Sequence, residues 1–247
     1  MNEQYNLDFK FHTNSSVKRK VWGISFSVMS IMFIGVILLS TLCSWLLYTA
    51  DISLQHKIYT SFILLIVGVI GLLLVNWISV FFTRNIQKKV LFSAPFEFIF
   101  WISILTGLLS YLRFSNENIN VENILLVSLI PIGILFVSGL IDLYFDLIKQ
   151  KVLIILGSLL SFGLLIMFII SFFVLNIQPL YSIISILLIS IFVAIEIYTA
   201  KKEIESMNSL DNKEINLFGL YLGVRLFSSS IALFYHILLL FFGRNRK

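Results

Sequence analysis

Seven long apolar runs dominate the chain, and they leave few folds open. They cover residues 21–48, 58–82, 90–112, 124–141, 152–175, 179–200 and 215–242. Crossing about 30 Å of hydrocarbon takes about 20 residues of helix, and each run is of that order. Barrel strands would alternate in short segments of about ten residues; these runs do not alternate. In lipid every backbone N–H and C=O must be satisfied within the segment, so a bundle of helices follows. The expected fold is all-α, a polytopic membrane bundle of about seven transmembrane helices, the last of them either crossing whole or broken or re-entrant.

Composition agrees. Residues of the AVILMFWYC set make up 59% of the 247, and only 13% are charged. Soluble domains run nearer 45–50% apolar and about 25% charged. A water-soluble enzyme, a nucleic-acid reader and a disordered chain are therefore excluded. The expected organisation is a polar N-terminal segment at residues 1–20, one membrane domain at 21–243 and a basic tail at 244–247. The run behind the basic cluster Lys18, Arg19 and Lys20 is too long for a cleaved signal peptide.

Charge placement predicts orientation. With the N-terminus inside, the inner side collects twelve of the 18 Lys and Arg residues. Lys57, Arg113 and the tail fall outside, and Arg225 lies within the last run. The tail breaks the pattern, so the last run either crosses and leaves it outside or dips and returns. Arg225 and the Ser228–Ser230 triplet interrupt that run near its middle. High Ile, Phe, Asn and Lys with little Ala points to an AT-rich bacterial genome, hence a plasma membrane.

Soluble-enzyme signatures are missing: no GxxxxGK[ST] loop, no HExxH pair and no GxSxG elbow. No enzyme activity, metal site or cofactor is expected. Cys43 is alone and lies in an apolar run, which reads as a small buried side chain. His12, His56 and His236 are scattered, and His236 reads as a packed residue bonded to a neighbour. Ionisable groups at membrane depth carry the functional reading, because each is costly there. Glu97 follows Pro95 and is expected near the interface. Asp142 and Asp146 are one turn apart on one helix face. Glu196 lies deep in the sixth run. Arg225 needs a carboxylate or a wet cavity. Gly219 and Gly223 form a GxxxG pair, which lets another helix approach.

The order of these features resembles the Bax inhibitor family of small seven-helix membrane proteins. WISILTGLLSY from Trp101 to Tyr111 resembles the family's third helix. GLIDLYFDL from Gly139 to Leu147 resembles its Gly-x-x-Thr-Lys-x-Asp-Leu loop. IYTAKK from Ile197 to Lys202 sits where the family has YDTQ, and LYLG from Leu220 to Gly223 where it has LYLD. The resemblance implies a proton-sensitive calcium leak, sensed by two buried aspartates that share a proton and pair with an arginine. The arginine position falls on Arg84. The aspartate positions fall on Thr199 and Gly223, both neutral; aligning on the tail instead moves the second to Ser230, also neutral. The two-aspartate sensor is therefore absent, and a leak through this protein should lack a steep response near neutral pH.

Two readings follow. The first is a cation leak, of calcium or another cation, with Arg84, Glu196 and Arg225 along the path and Asp142 and Asp146 near its inner mouth. The alternative is a non-transporting membrane interaction or immunity-type protein. The lipid bilayer is the expected partner in both, and nucleic acid in neither. Glu196 and Arg225 are expected to pair.

Overall fold

A computed structural model describes residues 2–79, 81, 86–115, 178–206 and 212–242, with scattered helical positions between 123 and 166. Five long helices make up the described bundle: α1 (Asn2–Thr49), α2 (Leu54–Ser79), α3 (Ile86–Ser115), α4 (Gln178–Ser206) and α5 (Asn212–Phe242). No strand occurs among the described residues. Each of the five is long and apolar enough to cross a membrane. The runs at 124–141 and 152–175 fall mostly outside the described residues. So do Arg84, Asp142 and Asp146.

Side-chain contacts set the directions. Lys20 Nζ donates to Asn212 Oδ1 at 2.9 Å, and Phe33 meets Phe234 edge-on at 6.0 Å, so α1 and α5 run parallel. Lys89 of α3 lies over Tyr221, and Phe98 packs on Phe227, so α3 runs with them. Phe62 packs on Tyr111 and Gly71 meets Phe100, so α2 is antiparallel to α3, and Ser103 Oγ donates to the Leu64 carbonyl at 2.8 Å. Tyr181 stacks near His236 and Glu196 meets Arg225, so α4 is antiparallel to α5. Lys18, Arg19, Lys20, Lys89, Lys201, Lys202 and Lys213 consequently lie at one end of the bundle; Lys57 and Arg113 lie at the other. The C-terminus of α3 and the N-terminus of α4 share that second end.

The bundle is centred on α5. Half of the residues in its most apolar window are buried (50%), against 22% for α2. Phe227, Ile231 and Phe234 have no exposed surface and pack with Phe33 of α1 and Leu105 and Leu109 of α3. The outer faces carry Ile31, Leu73, Trp77 and Leu91, more than 60% exposed, as a lipid-facing surface requires. Because lipid tails are as apolar as these side chains, the helices are held by close packing and interhelical hydrogen bonds rather than by the hydrophobic effect.

Small residues provide that packing. A Cβ on Gly107 would lie 2.5 Å from the Ser61 carbonyl oxygen, and one on Gly68 would lie 2.9 Å from the Phe100 oxygen. Only glycine lets α2 and α3 come so near. Gly219 and Gly223 do the same between α5 and α1, where a Cβ at 223 would lie 2.8 Å from the Ser25 oxygen. Ser25 Oγ ties the joint by donating to Val21 O at 2.8 Å and to Gly219 O at 3.0 Å.

Of the two alternatives for the last run, the structure shows one unbroken helix, Asn212–Phe242, that traverses the bundle, not a broken or re-entrant one. Its glycines serve the joint with α1, and Ser230 Oγ donates to the helix's own Leu226 carbonyl at 2.6 Å. These residues engage neighbours without freeing backbone. The polar residues at the start of the chain are helical: α1 begins at Asn2 and runs into the first span.

Candidate functional site

Glu196 and Arg225 meet. Arg225 Nη2 donates to Glu196 Oε1 at 2.7 Å, forming the ion pair between α4 and α5. Arg225 Nη1 donates to Tyr221 Oη at 3.1 Å, one turn back on α5, and the guanidinium lies 5.6 Å from the centre of that ring. Lys89 Nζ occupies the same ring at 5.3 Å. The Glu196 side chain is 17% exposed and Arg225 49%. The long Arg stem reaches across the α4·α5 boundary, while its head is fixed at two oxygens.

The pairing does not need a broken helix. Arg225 sits two positions past Gly223, about 200° round an ideal helix. Gly223 turns toward α1, where Ser25 and Val28 leave no room for a side chain. The opposite face of the same turn therefore presents Arg225 to α4. Thr199 lines a cleft with Tyr221, Leu222 and Arg225. Its hydroxyl donates to the Ile195 carbonyl at 2.8 Å. The two positions aligned with the family's aspartates thus do different work: Gly223 seats α1 and Thr199 borders the ion pair.

Glu97 is buried within the bundle: it is 9% exposed and accepts a hydrogen bond from Ser228 Oγ of α5. Ser93, one turn earlier on α3, also bonds to it. The misplaced signal was the serine triplet. Read as a helix breaker, it instead supplies Ser228 as a donor to a buried carboxylate. His236 is also corrected: it is packed among the rings of Tyr181 and Tyr235, but its Nδ1 has no hydrogen-bond partner.

Three clefts adjoin at the ion pair. The first, about 150 Å³, lies toward the basic end and includes Thr199, Glu203 and Tyr221. The second, about 240 Å³, is walled by four helices: Asn76 of α2, Glu97 and Trp101 of α3, Glu196 of α4, and Arg225, Ser228 and Ser229 of α5. The third, about 420 Å³, follows the α4·α5 groove past Phe192 and Ala232. Glu196 and Arg225 line all three. Beside the ion pair, the acceptor Glu196 Oε2 and the donor Trp101 Nε1 are buried without a hydrogen-bond partner. Among the described residues no group of three or more His, Cys, Asp or Glu side chains converges as a metal-ligand cluster.

Neither a family model, nor a curated protein, nor a solved structure matches this chain.

Proposed function

We propose that this protein is a cation-conducting membrane protein, a divergent Bax inhibitor-like bundle of seven helices whose path is closed by the Glu196–Arg225 pair. The basic end is cytoplasmic by the positive-inside rule, so the N-terminus is inside, in a bacterial plasma membrane. One observation carries the reading. The Glu196–Arg225 ion pair is the shared wall of three clefts. Charged groups at membrane depth are costly and usually mark a pathway. If the pair served stability alone, no cleft would be needed on either side of it.

The chemistry is that of a gate. With the pair closed, the guanidinium fills the junction and places a positive charge across the route. When Arg225 leaves Glu196, the clefts join, and the carboxylates of Glu196 and Glu97 face the opened space. Asp142 and Asp146 remain the proposed inner mouth and Arg84 a further basic group on the path; all three lie outside the described residues. The neutral Thr199 and Gly223 leave the gating to Glu196 and Arg225.

Cation efflux from liposomes tests this. The purified protein should release a trapped cation faster than protein-free vesicles do. Arg225→Gln, which removes the plug and leaves the carboxylates, should raise that rate about tenfold. No release above the protein-free rate in either form would sink the proposal and transfer the weight to the alternative, a non-transporting membrane interaction or immunity-type protein.

A further inference from the structure

We infer that the outer face of α1, at the basic end of the bundle, is a docking site for one anionic phospholipid, its phosphate held between Arg19 and Lys20 and its chains laid over Gly23. No residue of this face lines a cleft at the ion pair. The site therefore stands or falls independently of the cation path.

Charge decides the class of ligand. Among the described side chains the basic end carries seven cations against two acids, Glu203 and Glu214. Arg19, Lys20 and Lys213 are exposed there. Lys20 Nζ is fixed 2.9 Å from Asn212 Oδ1, which brings Lys213, the next residue of α5, beside α1. That amide oxygen is neutral, so it orients the ammonium without cancelling its charge. Arg19 and Lys213 enter no ion pair among the described residues. Three open cations with one neighbouring acid, Glu214, make a field that draws an anion.

Position decides where the anion comes from. The three cations stand where helices enter the membrane: the first span opens at Ser16 and the last at Asn212. Helix side chains lean toward the N-terminus. Arg19 and Lys20 thus reach back from the span toward water, at the level of lipid phosphates. Trp22, three residues beyond Arg19, stacks on Phe26 at 5.8 Å. Tryptophan favours the headgroup level of a bilayer, and clustered basic residues beside a membrane helix attract anionic headgroups.

Shape decides where the chains lie. Arg19 and Lys20 precede Gly23 by four and three residues, so they flank it from one turn before. A Cβ on Gly23 would meet nothing within 4 Å, whereas every other glycine of α1 to α5 meets a neighbouring helix. Gly23 is therefore a notch in the outer face and not a helix joint. Phe26, Ile31 and Ile34, 43%, 72% and 54% exposed, continue that face into the span. Cations, then an open notch beside an indole, then apolar side chains follow the order of phosphate, glycerol and acyl chain. A soluble anion would use only the first of the three.

The test is thermal unfolding of the full chain in neutral detergent, titrated with phosphatidylglycerol or with phosphatidylcholine of the same acyl chains. Phosphatidylglycerol should raise the midpoint saturably, by about 5 °C at a hundredfold excess over Kd, and phosphatidylcholine far less. Arg19→Gln and Lys213→Gln should each raise the half-saturating lipid fraction about fivefold, the worth of one cation near an anionic surface. Lys202→Gln, at the same end but on α4, should leave it nearly unchanged. Gly23→Leu alters no charge and fills the notch; it should raise the half-saturating fraction several-fold without lowering the lipid-free midpoint. Equal shifts from the two lipids would overturn the site. Equal weakening by Lys202→Gln and Arg19→Gln would overturn it in favour of attraction spread over the whole basic end. An unchanged half-saturation in Gly23→Leu would overturn the seat on α1. Polyglutamate, added in place of lipid, stands for an acidic polypeptide. A midpoint rise from it that matches phosphatidylglycerol would assign the patch to a protein partner and overturn the lipid.

Discussion

The α2·α3 and α4·α5 contacts both join antiparallel helices, and they are built from opposite materials. Between α2 and α3 the joint is steric. Gly68, Gly71 and Gly107 let the two backbones touch, and Ser103 adds one hydrogen bond to the Leu64 carbonyl. Between α4 and α5 the joint is electrostatic. Glu196 and Arg225 bridge the boundary, and clefts open around them. The first contact gains its strength from fit. The second gives up fit to hold charge. In a membrane bundle, where burial against lipid yields nothing, helices that sacrifice packing for charge are the ones to examine for function.

The largest expected effect falls on the steric joint. Gly107→Leu forces a side chain onto the Ser61 carbonyl, a backbone atom that cannot swing aside. We expect a loss of about 3 kcal/mol or more, seen as a lower unfolding midpoint in detergent. A loss under about 1 kcal/mol would mean that the helices slide apart easily and that the joint is not steric.

Next comes the ion pair. Glu196→Gln or Arg225→Gln alone strands a charge. We expect about 2 kcal/mol for each, below the 3–5 kcal/mol of a fully buried pair, because Arg225 keeps about half of its surface open (49%). The double variant should cost less than the sum of the singles. Additivity within about 0.5 kcal/mol would show that the charges do not couple.

Ser228→Ala should cost about 1–2 kcal/mol, since it removes a donor from a buried carboxylate. Ser93 still serves Glu97 and limits the damage. The variant also sharpens the comparison, because it should alter flux more than Gly107→Leu does per unit of stability lost. The smallest effect belongs to Ser103→Ala, about 0.6 kcal/mol, the typical worth of one interhelical hydrogen bond in a membrane bundle. Its midpoint should move less than that of any variant above, and a drop matching Gly107→Leu would place the strength of the joint in that bond.

Much of the fold was legible because apolar length is a one-dimensional signal. Five of the seven runs correspond to α1 through α5. The Glu196–Arg225 pairing was also readable, because two opposite charges in adjacent late runs have strong reason to meet. The partner of Glu97 was not, since only the packing of α5 against α3 brings Ser228 to it. The serine triplet misled for a related reason. A hydroxyl can bend a helix or serve a neighbour, and the choice depends on what lies opposite. Gly223 shows the same limit. Aligned with a sensor position, it is instead the seat of α1, a role fixed by Ser25 and Val28.

The central position of α5 has a kinematic consequence. Three neighbours grip it on three faces: α1 at Gly219 and Gly223, α3 at Ser228, and α4 at Arg225. Turning α5 by one residue, about 100°, would drive side chains into the α1 joint, unseat Ser228 from Glu97 and withdraw Arg225 at once. It is an axle whose rotation is locked by its own glycines. Among the described helices α4 is grasped chiefly by α5, with a slight contact to α1. Tilting α4 away separates Glu196 from Arg225 while every α5 contact to α1 and α3 stays seated. Among the described helices, the least costly way to part Glu196 from Arg225 is therefore a lever stroke of α4 against a fixed shaft.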